Sequence, residues 1–93
     1  MLKYSIDEPI ADPLRDTVEV TIDFGGGRQR WLFFITPQQL AAAGDWIEGT
    51  QIWIHLGERH MVVVGELSEA VIDKVLRQLY TSGELESRTL PLR

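Results

Sequence analysis

The chain has no cysteine among its 93 residues. That excludes disulfides, thiolate metal sites and cysteine nucleophiles together. It is also what a reducing cytoplasm permits, and a cytoplasmic location is the expectation. The chain has no basic run either. Nine Lys and Arg residues are scattered among 14 Asp and Glu, for a net charge of −5. Nucleic acid and anionic membranes reward clustered cations, so neither is expected as a partner. No apolar stretch approaches the roughly 18 residues that a membrane-spanning helix requires. Residues 1–9 show no apolar run of the signal-peptide kind.

What is present suits one soluble domain spanning residues 1–93. Hydrophobic residues make up 44% and charged residues 25%, ordinary proportions for a globular chain. Residues 1–16 read as irregular or as a short edge strand, because Leu2, Tyr4 and Ile6 alternate with polar residues before Pro9 and Pro13 interrupt. Residues 17–24 alternate cleanly: Val18, Val20, Ile22 and Phe24 point one way, and Thr17, Glu19, Thr21 and Asp23 the other. Gly25-Gly26-Gly27 reads as a hairpin turn rather than a phosphate cradle, since it leads into a strand and not a helix. The strand that follows, residues 28–35, is apolar on both faces from Trp31 onward and is expected to sit centrally.

Two helix starts are specified by side-chain chemistry. Thr36 is an N-cap, Pro37 suits the first helical position, Gln39 completes a capping box, and Gly44 ends the turn. Ser68 is the second N-cap, followed by an apolar stripe of Val71, Ile72, Val75, Leu76 and Leu79, with Gly83 as the C-cap. Between them, residues 51–56 and 59–64 read as a hairpin closed by Gly57-Glu58. That register sets Trp53 against Val62 and His55 against His60. It assigns Ile52, Ile54, Leu56, Met61 and Val63 to the core. Residues 84–93 form a tail. The order predicts an α+β fold: a ββαββα two-layer sandwich, an antiparallel sheet with helices on one face.

Few residues suggest chemistry. His55 and His60 are close enough in this register to share a metal ion, but two ligands do not make a site and Glu58 is the only acidic residue close by in sequence, so a His-based metal site or enzyme is the lesser alternative. The carboxylate pairs Asp7-Glu8 and Glu84/Glu86 lie in loops or the tail, and no nucleophile elbow accompanies any serine. The expectation is a protein with no enzymatic activity and no cofactor. Tryptophans on an uncovered sheet face or in a loop act as interface anchors. Trp53, His55, Arg59, His60 and Trp46 are therefore the expected partner-binding residues. Self-association through the same face, giving a homodimer, is the alternative.

Two motifs carry a family resemblance. Phe33-Phe34-Ile35-Thr36-Pro37-Gln38-Gln39-Leu40 is an apolar strand running through Thr-Pro into a helix. Gly57-Glu58-Arg59-His60-Met61-Val62-Val63-Val64 then sets Arg-His before an apolar strand, and a helix with Ile72 and Leu79 follows. In this order, over residues 17–80, the chain resembles a family of small immunity proteins from bacterial polymorphic toxin systems. The resemblance implies a non-catalytic protein that binds and neutralises a cognate toxin domain made by the same cell.

Overall fold

The structure, a computed structural model, describes residues 1–46, 48–54 and 57–92. Its centre is the hairpin of β2 (Thr17–Asp23) and β3 (Gln29–Ile35). The two strands pair antiparallel with Val18 opposite Phe34, Val20 opposite Leu32 and Thr21 opposite Trp31. Gly25, Gly26 and Gly27 all adopt positive φ at the turn. Gly25 N–H donates to the Asp23 carboxylate, and Phe24 N–H to the Arg28 carbonyl. Side chains on such a backbone would be strained, which is why three glycines stand there.

β1 (Lys3–Ile6) adds antiparallel to β2. The N-terminal segment thus extends the sheet at its edge. The other edge of β3 is shared. β6 (Met61–Val63) runs parallel to its second half, and β7 (Leu90–Pro91) antiparallel to its first half. A parallel return needs a long crossover. Here it carries α1 (Pro37–Ala43) and a two-stranded ribbon of β4 (Asp45–Trp46) and β5 (Trp53–Ile54). α2 (Glu69–Ser82) packs across one face of the sheet, and a 3-10 turn at Glu86–Arg88 leads into β7. This is the α+β arrangement the sequence implies: among the described residues, an open sheet antiparallel in all pairings but one, with two α-helices.

Local chemistry explains both helices. Ser68 Oγ accepts from Val71 N–H, and Thr36 Oγ1 from Gln39 N–H. Gly83, at φ 79°, donates its N–H to the Leu79 and Tyr80 carbonyls, closing α2 in a left-handed cap. Ile72 and Leu76 of α2 bury against Val18, Val20, Ile22, Leu32, Phe34, Leu67 and Leu85. Burying such a side chain contributes about 1.5–3 kcal/mol, so this layer holds the fold. No described helix is long and apolar enough to cross a membrane.

The structure departs from the sequence reading in strand pairing and in the faces that follow from it. Residues 57–58 do not close a hairpin between paired strands, because β5 pairs with β4 and β6 pairs with β3. Trp53 therefore stands opposite Trp46 rather than Val62. The faces change with the pairing. Val62 turns to the core beside Phe34, while Met61 and Val63 fall in register with Phe33 and Ile35 on the opposite face. Ile52 and Ile54, expected in the core, are 56% and 37% exposed, and Leu56 lies outside the described residues. The molecule is elongated, 49 × 24 × 23 Å, with a radius of gyration of 14.4 Å. A compact chain of this length would have a radius of about 12 Å. The described residues from Pro37 to Ile54 contribute none to the core.

Candidate functional site

The face of the sheet opposite α2 divides into two halves. Lys3, Ser5, Thr17, Glu19, Thr21 and Asp23 supply a polar half from β1 and β2. Trp31, Phe33, Met61, Val63 and Leu90 supply an apolar half from β3, β6 and β7. The division follows from alternation along the strands: whatever pairs with the polar positions of β2 must share their face. Ile35 closes one end of it and is buried.

At the centre of the apolar half stands His60. Its ring meets Trp31 edge-on at 4.6 Å and Phe33 at 5.1 Å between centroids. The Trp31 and Phe33 rings are themselves stacked at 6.2 Å. His60 is only 6% exposed. Its Nε2 lies 3.2 Å from the Glu58 carboxylate, which reaches out to solvent. Its carbonyl accepts from Phe33 N–H at 2.9 Å, seating the chain on β3 just before β6 begins. The result is a half-buried aromatic platform, with Glu58 at one side and Glu19 directly across from Phe33 on β2. Asp7 joins the acidic rim by accepting from Thr21 Oγ1 at 2.7 Å.

Of the residues singled out from sequence, His60 lies in this platform, and Arg59 is exposed on the turn leading into it. Trp53 stands on the ribbon instead, 40% exposed, its Nε1–H donating to the Ala41 carbonyl at 3.1 Å. Trp46 pairs with it through the backbone of β4, and its side chain lies outside the described part of the structure. His55, expected opposite His60, lies outside the described residues. Among the described residues no group of three His, Cys, Asp or Glu side chains is arranged to hold a metal ion. Trp31, Phe33, Met61 and Val63 are site residues that the sequence pattern alone does not single out. A partial signal is present: Thr21 and Glu19 are polar, and the three-glycine turn sets Trp31 and Phe33 beside them.

A hollow of about 530 Å³ lies at the turn end of the hairpin beside Arg28, Arg30 and Glu86. Both guanidinium groups are already engaged within the chain. Arg28 pairs with Glu86 at 2.9 Å, and Arg30 donates to the Thr89 hydroxyl and carbonyl, each at 2.7 Å. This corner ties the tail to the sheet.

Fold and site together define a small α+β protein with an aromatic sheet face opposite α2. No protein-family model, curated protein or solved structure matches the chain.

Proposed function

We propose that this protein is a non-catalytic, cytoplasmic binding domain that meets a basic protein partner with the face of its sheet opposite α2. The observation that carries this reading is the platform of Trp31 and Phe33 around His60, rimmed by Glu19, Glu58 and Asp7. Aromatic residues at the centre of a patch, ringed by polar groups that exclude water, are the usual composition of a binding hot spot. The net charge of −5 favours a cationic partner and speeds its encounter. The sequence resemblance to immunity proteins of polymorphic toxin systems supports the same conclusion and gives the partner a kind: a toxin domain that the cell must neutralise before release. In this reading Arg59 and Val63 border the contact, and the platform is its anchor.

The test is titration of the purified protein with a toxin domain encoded beside it, followed by calorimetry. The expected result is a stoichiometric complex that Trp31→Ala weakens by about 30-fold, the size of a hot-spot loss of roughly 2 kcal/mol. A neighbouring toxin domain that does not bind, or binding indifferent to Trp31→Ala, overturns the proposal.

A further inference from the structure

β6 is a short edge strand of three residues that lacks the charged and proline guards of longer edges. Its sequence is Met61-Val62-Val63, with no charge and no proline. The opposite edge, β1, carries Lys3, and Pro9 follows shortly after. Exposed edges invite pairing with another chain, and charged or proline residues are the common defence. In a parallel ladder alternate residues bond to the same neighbour. The His60 carbonyl and Val64 N–H bond to β3, which turns the backbone of Met61 and Val63 outward. Met61 N–H is already donated to the Glu58 carbonyl. Val63 keeps both its N–H and its carbonyl facing out, and its side chain is 46% exposed.

A groove of about 260 Å³ runs along this edge, lined by Met61, Val62, Val63, Val75, Leu79 and Arg88. Arg88 is the one charge in it, and its guanidinium has no carboxylate partner among the described residues. Glu66 is exposed just past the other end of β6 and is likewise unpaired there.

We infer that β6 pairs antiparallel with β6 of a second copy of this chain. A two-fold axis through Val63 lets the two Val63 residues exchange N–H and carbonyl bonds, using groups that have no partner among the described residues. The antiparallel direction carries the C-terminal end of the second strand past Met61, so Glu66 of the second copy comes beside Arg88, and the reciprocal pair forms across the axis. Such an isologous contact is self-complementary. It sets the two α2 helices side by side, closing Val75 and Leu79 from water. Both aromatic platforms then face the same way, on the side away from the helices.

The test is sedimentation velocity on the full chain across micromolar concentrations. Wild type is expected as a dimer. Val63→Lys and Val63→Pro are expected as monomers with helix content retained, since the Val63 N–H takes no part in pairing to β3. Arg88→Glu and Glu66→Arg are each expected to weaken dimerisation about tenfold, and the double exchange to restore it. A wild-type monomer at 100 µM or so, well above typical homodimer constants, overturns the inference. So does a dimer indifferent to Val63→Lys, or one dissolved by Trp31→Ala, which would put the contact on the aromatic face.

Discussion

The imidazole of His60 stands edge-on to the indole of Trp31, 4.6 Å between centroids with 71° between planes. One pair of side chains thereby fixes the start of β6 to the middle of β3. Edge-to-face pairs contribute about 0.5–1.5 kcal/mol beyond the area they bury, and His60 makes two, the second to Phe33 at 5.1 Å. His60→Ala should therefore cost about 1–3 kcal/mol of unfolding free energy in urea, and His60→Phe appreciably less. If His60→Ala melts like wild type, the ring contacts are incidental, and the platform is held by the backbone bond from Phe33 alone.

The layer between α2 and the sheet should respond most steeply to truncation. Leu76 and Ile72 are fully buried, and both lie against strands β2 and β3. Leu76→Ala removes transfer energy and leaves a cavity, about 2–5 kcal/mol together. Total stability in domains of this kind is roughly 5–15 kcal/mol. The variant should show a midpoint shifted well down in denaturant, with an unchanged slope. A shift no larger than that of the surface variant Lys74→Ala would mean that α2 is not docked as described.

The ribbon behaves as a separate element, and Gly44 is the reason it can be probed alone. Gly44 has an ordinary extended backbone, φ −79°, so its need for glycine is not conformational. A Cβ there would run into the indole of Trp53. Gly44→Ala should push the indole away and break its bond to the Ala41 carbonyl. Expected readouts are a red shift of the Trp53 emission and easier acrylamide quenching, measured against Trp53→Phe. The melting temperature should move little, because the described residues of this element supply nothing to the core. Strong destabilisation by Gly44→Ala would show that the ribbon is integral to the fold.

Local signals in the sequence carried far, and non-local ones did not. Thr36, Ser68 and Gly83 cap the helices as their chemistry requires, and Val18, Val20 and Ile22 bury as their alternation demands. The turn at Gly57-Glu58 satisfied a local hairpin pattern, yet β6 pairs with β3 across a long crossover. Turn chemistry describes neighbours in sequence. It says nothing about the open edge of β3, which offers a more apolar mate than the exposed Ile52 to Ile54 segment. Because strands alternate with period two, that change of mate exchanged the faces of Val62 and Met61. The site followed the pairing: Trp31 and Phe33 replaced Trp53 beside His60. The tail was equally hidden, since its anchor is Arg30 reaching Thr89 across most of the chain.

A hydrogen-bonded strap between β1 and α2 makes stability depend on pH. Tyr4 Oη donates to Asp73 Oδ1 at 2.7 Å, and Arg77 Nε to Asp73 Oδ2 at 2.9 Å. The Tyr4 hydrogen bond, with the Arg77 bond second, holds the Asp73 carboxyl below its ordinary 3.8. The same bond, reinforced by burial, raises the Tyr4 phenol above 10.0. A lowered carboxyl contributes stability that is present above its unfolded value and lost as pH falls through the folded one. A raised phenol contributes stability that is present below its unfolded value and lost as pH rises through the folded one. The strap is therefore at full strength between 3.8 and 10.0 and weakens beyond each limit. Tyr4→Phe keeps the ring and removes the bond, so its melting temperature should lie below wild type across the plateau. The two curves should converge on the acid limb as Asp73 takes up its proton, and again on the alkaline limb as Tyr4 ionises. A gap that stays constant through both limbs would show that the hydroxyl acts by packing and not through the Asp73 carboxylate.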